Sequence, residues 1–67
     1  MKTHLNTLFV TLEDAYLRKD GAAIDIRHEG KSKLRVPLHN LDGVCCFGWN
    51  TVATTALMAA CAEAGVS

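Results

Sequence analysis

Apolar and polar positions alternate with a period of two through most of the chain, and the period changes only near its end. Residues 4–12 set Asn6, Leu8, Val10 and Leu12 on one face and Leu5, Thr7, Phe9 and Thr11 on the other. Apolar residues on both faces predict a strand covered on both sides. Glu13-Asp14 interrupts the pattern, and residues 15–18 form a short second strand. Lys19-Asp20-Gly21 is the clearest turn signal, because Asp-Gly supplies the positive φ values of a tight hairpin. Residues 22–28 then place Ala22, Ile24, Ile26 and His28 on a buried face and Ala23, Asp25, Arg27 and Glu29 on a wet one. Glu29-Gly30 turns the chain into residues 31–36, and Pro37, lacking an N–H for the ladder, ends that strand. Residues 38–43 read as a bend and 44–47 as a short buried strand.

From Thr51 to Ala64 the period becomes helical. Asn50 or Thr51 is the expected N-cap, and Gly65 suits the left-handed position just past the end. Ala53, Leu57, Ala60, Cys61 and Ala64 make one face; Val52, Ala56, Ala59 and Ala62 make much of the other, broken by Thr55 and Glu63. A helix apolar nearly all round needs neighbours on more than one side. Only Val66 and Ser67 remain after Gly65, with Val66 placed to begin a sixth strand. The expected fold is therefore α+β but mainly β: a five-stranded antiparallel meander, sandwich-like, followed by one Ala-rich helix and cut before the next strand. The front piece of a larger protein, or a tight oligomer, is implied.

Composition narrows the function. A chain of 67 residues forms one small domain, whose core seldom supplies more than roughly 3–5 kcal/mol. Seven basic residues balance seven acidic ones, which weakens the case for this piece gripping DNA by itself. The start lacks the apolar core of a signal peptide, and the helix is too short to span a bilayer. Three cysteines, two adjacent, make a poor disulfide framework and fit a reduced, cytoplasmic protein.

The ordered set NTLFVT, the KDG hairpin, VPLHNLDGVCCFG and an Ala-rich helix ending CAEAG resembles the N-terminal β-domain of Cas1, the CRISPR-associated integrase. Pro37-Leu38-His39-Asn40-Leu41-Asp42-Gly43 followed by Phe47-Gly48 is most similar to the type I-C form. Trp49-Asn50-Thr51 departs from the family, in which an aromatic followed by small residues often comes next. The resemblance implies that residues 1–67 are one domain of a two-domain, metal-dependent DNA endonuclease and integrase that inserts spacers into the CRISPR array. The family's Glu, His and acidic metal ligands, for magnesium or manganese, lie in a helical C-terminal domain outside this chain. It further implies a homodimer, a Cas2-type adaptation partner and duplex DNA as partners of the parent, with no membrane role. This chain would be a dimerisation and DNA-positioning scaffold, inactive alone, with no catalytic or metal-binding residue and no cofactor of its own.

Lys31, Lys33 and Arg35, spaced by two on one strand, are the candidate DNA contacts. The plainer account is that charged residues on an edge strand discourage aggregation. Zero net charge and the neighbouring acids Asp25 and Glu29 favour that account. Trp49, Leu57 and Met58 are the candidate interface residues, as contacts within or between chains, with core packing the commoner role for Trp49 and for Tyr16. Cys45 and Cys46 point to opposite faces of a strand and cannot share an ion. His4, His28 and His39 read as surface or turn residues, and Glu13 and Asp14 as solvated loop acids. A Cys46–His39 pair lacks any orienting third group. The alternative function is a free-standing small β-module that binds nucleic acid or a protein; a small thiol or metal protein is a third class, which the vicinal cysteines oppose.

Overall fold

A computed structural model describes residues 2–4 and 6–67, with side chains described from Asn6 onward. Among the described residues there are seven short strands, a 3-10 turn at Leu38–Asn40 and one helix. Strands β1 (Lys2–His4), β2 (Thr7–Val10) and β6 (Gly43–Cys46) make a three-stranded sheet in the order β1-β2-β6. Strands β3 (Tyr16–Asp20), β4 (Ala23–His28), β5 (Lys31–Pro37) and β7 (Val52–Ala53) make a second sheet in the order β5-β4-β3-β7. Leu8 and Val10 from the first sheet meet Leu17, Ile24 and Ile26 from the second, and Leu38, Leu41, Leu57 and Val66 close the ends of this core.

The expected antiparallel meander survives only as β3-β4-β5. Strand β6 runs parallel to β2, and β7 runs parallel to β3. The single strand expected at residues 4–12 is instead a hairpin, with His4 opposite Thr7 and Asn6 in the left-handed region at φ 63°. Its alternation was sound within β2: Leu8 and Val10 are buried, while Phe9 on the other face is half-buried and stacks on Phe47 at 6.1 Å between ring centres. Leu5, and the side chain of His4, lie outside the described residues. The KDG hairpin also shifts by one residue. Asp20 closes β3, and Gly21 at φ 61° is the first residue of the two-residue connection, where a type II′ turn needs glycine.

The helix begins later than expected. Val52 and Ala53 are taken into the sheet, where Val52 N–H donates to Ala15 O at 2.9 Å and Thr54 N–H to Leu17 O at 3.0 Å. Thr54 is the N-cap of α1 (Thr55–Ala64), its hydroxyl accepting from Leu57 N–H at 3.1 Å. Gly65 ends α1 at φ 76°, as expected of a left-handed C-cap. Beyond it, Ser67 N–H donates to Asp42 O and Val44 N–H donates to Ser67 O, each at 2.9 Å. These are the two bonds of a parallel pairing opposite Gly43, so the chain enters strand geometry beside β6 after Val66.

Candidate nucleic-acid interface

The neutral composition conceals a polarised molecule. Six of the seven basic residues (Arg18, Lys19, Arg27, Lys31, Lys33 and Arg35) lie between Tyr16 and Pro37, with only Asp20, Asp25 and Glu29 among them. That stretch is the β3-β4-β5 meander, which carries three excess positive charges. Glu13, Asp14, Asp42 and Glu63 lie elsewhere. Net charge therefore understates what the second sheet presents.

Strand register sorts these cations. Arg18 faces Asp25, which faces Arg35, giving one row across three strands; Tyr16, Arg27 and Ser32 form the next. All six project from the outer side of the sheet, opposite Ile24 and Ile26. Asp25 is its centre. The carboxylate is 2% exposed and takes Ser32 Oγ at 2.6 Å, Arg18 Nε at 2.9 Å and Arg27 Nη1 at 3.3 Å. Arg27 is held again by Gly30 O at 2.8 Å, and Arg35 pairs with Asp20 at 3.1 Å. The bonds from Ser32 and Arg18 outweigh the burial, which alone would raise the carboxyl, and hold Asp25 down at about 2. The bond to Asp25 in turn raises the Arg18 guanidinium.

This arrangement corrects the expected Lys31, Lys33 and Arg35 row. Ile26 pairs with Leu34 but Arg27 pairs with Ser32, so Lys33 is the extra residue of a bulge. The bulge breaks the alternation. Lys31, opposite His28, falls on the face opposite to Arg35, and Ser32 joins the outer face rather than that of Leu34 and Val36. Asp25 lies on the outward face as expected, but the guanidiniums cover it and leave it 2% exposed. Among the described residues, neither Lys31 nor Lys33 makes an ion pair. Arg18, Arg27 and Asp25 were missed. Counting outward from the Gly21-Ala22 turn would have set Arg18 opposite Asp25.

The other candidates separate by burial. Leu57 is 3% exposed and packs in the chain's own core, a contact within the chain. Met58 at 56% and Trp49 at 80% are exposed, and Trp49 does not pack in the core. Trp49 sits instead in a clasp: its N–H donates to Glu13 Oε2 at 3.0 Å, its carbonyl accepts from Asp14 N–H at 3.0 Å, and Asn50 Nδ2 donates to Asp14 Oδ1 at 3.2 Å. Glu13 and Asp14, read as solvated acids, thus fix the turn after β6. An open apolar groove of about 280 Å³ lies between β6 and α1, lined by Val44, Cys46, Met58 and Cys61 above Leu17 and Ile24. Burial pushes both the Cys46 and Cys61 thiols up. His39 lines a different depression, beside Ala22, Arg35 and Pro37, from the groove that Cys46 lines. His28 is half-buried with Nε2 3.3 Å from Glu29 Oε1. Among the described residues, no group of three or more His, Cys, Asp or Glu side chains is placed to hold a metal ion.

Comparison with known proteins adds ancestry to this geometry. The family model described as CRISPR associated protein Cas1 matches residues 8–67. CRISPR-associated endonucleases Cas1 of Chlorobaculum tepidum and Rhodospirillum rubrum are each 45% identical over 67 residues, covering 100% of this chain and 19% of theirs. That of Moorella thermoacetica is 39% identical over 59 residues, or 88% of this chain and 17% of its own. The chain thus spans about a fifth of the length of the curated relatives it matches. A crystal structure of a TtCas1–DNA complex superposes with a TM-score of 0.73 over 97% of this chain and 24% of that chain, at 20% identity, a likeness of fold.

Proposed function

The chain belongs to the CRISPR-associated Cas1 family, and from that premise we propose that it is the N-terminal β-domain of a longer, type I-C-like Cas1 protein. In this reading residues 1–67 carry no chemistry. The remainder of the protein supplies a magnesium- or manganese-dependent DNA endonuclease and integrase that inserts spacers into the CRISPR array. The domain's work is mechanical: it helps form the homodimer, supports the Cas2-type partner's assembly and positions duplex DNA, in the cytoplasm.

The observation that carries this reading is identity of 45% along the whole chain to relatives of which it covers only 19%. Two structural features support it. The outer side of α1 leaves Ala56, Met58, Ala59 and Ala62 exposed, and the groove beside it is open and apolar. Apolar surface of that kind marks a site where more protein packs. The second sheet's excess of positive charge suits a DNA-positioning role, with Lys31, Lys33 and Arg35 at its rim. A graft tests the proposal: this chain replaces the matching residues of the Chlorobaculum tepidum relative. Retained oligomeric state by light scattering, with retained metal-dependent nuclease activity, is the expected outcome. A soluble but inactive, dissociated graft refutes it.

A further inference from the structure

The buried Asp25 has no part in the core and faces outward beneath two guanidiniums. A carboxylate that takes three side-chain hydrogen bonds and is almost fully covered is a built feature of the sheet. Two arginines share its single charge, so the cluster of Arg18, Arg27 and Asp25 keeps one net positive charge. Arg18 spends Nε on Asp25 at 2.9 Å, and among the described residues neither of its terminal nitrogens has a partner, on a side chain 46% exposed. Arg27 is fixed from two directions, by Asp25 and by Gly30 O. Long cationic side chains normally lose rotamer freedom on binding. Here that ordering is already done in the free protein.

Resting on the reading of this domain as a DNA-positioning scaffold, we infer that the outer face of the second sheet is a phosphodiester-binding surface. Arg18 and Arg27 make the contacts, and Asp25 and Ser32 act as the positioning residues that aim them. Cross-strand neighbours lie about 5 Å apart and alternate residues along a strand about 7 Å apart, so the two guanidiniums can engage separate oxygens of one phosphate backbone. Tyr16, 44% exposed in the same row as Arg27, adds a hydroxyl within reach of that backbone. Lys31 and Lys33, divided by the bulge, contribute only diffuse attraction.

Fluorescence anisotropy of the full chain on a labelled DNA duplex, stepped through salt, tests this. Each phosphate contact contributes about −0.9 to the slope of log affinity against log salt. Arg18→Gln and Arg27→Gln are expected to flatten the slope by about 1 each, and the Lys31→Gln, Lys33→Gln double variant by much less. The sign of Asp25→Asn is decisive. Removing a negative charge strengthens DNA binding if Asp25 only subtracts charge, whereas loss of aim weakens it several-fold. Ser32→Ala, which alters no charge, is expected to weaken binding in the same direction, and circular dichroism confirms that each variant is folded. Tighter binding by Asp25→Asn, or unchanged slopes for both arginine variants, overturns the inference while leaving the scaffold reading in place. A wild-type chain without salt-dependent duplex binding overturns both.

Discussion

Of the five glycines, Gly48 is the one where an added methyl group meets the tightest contact. Its φ is unexceptional, but a Cβ there would collide with the Leu12 carbonyl oxygen, lie 3.0 Å from the Leu12 carbonyl carbon and 3.4 Å from Glu13 Cα. All three atoms are backbone, so no side chain can swing away. Relief requires the 48–50 turn to retreat from residues 12–14, and that opens the clasp of Trp49 N–H on Glu13 and Asp14 N–H on Trp49 O. Overpacking costs about 1–3 kcal/mol, and each stretched hydrogen bond about 1. Gly48→Ala is thus expected to cost roughly 3–5 kcal/mol, comparable to the total of about 3–5 for a domain this small. Urea unfolding followed by far-UV circular dichroism measures it, since Trp49 is too exposed to report burial. Gly30→Ala is the control: Gly30 has φ 76° but nothing within 4 Å, so only backbone strain of about 1 kcal/mol applies. If Gly48→Ala falls within 0.5 kcal/mol of wild type, or costs less than Gly30→Ala, the argument from close approach is wrong.

Three further outcomes follow from local geometry. Glu29 occupies the left-handed region at φ 52° in the turn between β4 and β5, so Glu29→Asn or Glu29→Gly is expected to stabilise by about 0.5–1 kcal/mol, read as a raised Tm. Thr54→Ala removes the hydroxyl that accepts from Leu57 N–H and is expected to cost about 1 kcal/mol, with Thr54→Ser restoring most of it. Asp25 is lowered from 3.8 to about 2, so the folded state binds its proton less readily than the unfolded chain does. Its stabilisation is therefore complete above pH 3.8 and fades as pH falls toward about 2. Acid titration of unfolding free energy should be shallower for Asp25→Asn across that window; identical slopes contradict the assignment.

The elements whose residues dictate their own geometry were legible from sequence. Ile24 and Ile26 alternate with polar residues, Gly65 stands where only an αL residue fits, and the two turns between β3, β4 and β5 carry their glycines. What escaped was decided by partners distant in the chain. Thr7 pairs with Gly43 and Tyr16 with Val52, and no local pattern announces a parallel partner tens of residues away. Val52 and Ala53 satisfy a helical period as well as an extended one, and the bonds to Ala15 and Leu17 decide for the strand. The expected single face of Lys31, Lys33 and Arg35 was lost for a similar reason. A single extra residue at Lys33 reverses which side chains share a face, and a bulge has no signature in KSKLR.

Charge balance misled for a reason that applies to any small domain. A net charge of zero says nothing about a surface when opposite charges are segregated by the fold. The β3-β4-β5 meander gathers six cations because its three strands are contiguous in sequence, and hairpin connections keep contiguous residues together. The acids outside it fall on the turns at residues 13–14 and 42 and on α1. Of the acids inside it, Asp25 is consumed in ordering Arg18 and Arg27, and Asp20 in holding Arg35. The same carboxylates that cancel charge on paper therefore fix the direction in which the remaining guanidinium donors point. A scaffold that must hold a polyanion in one orientation gains more from that fixed aim than from additional mobile lysines, because ordering arginines beforehand removes an entropic cost that lysines would meet on binding.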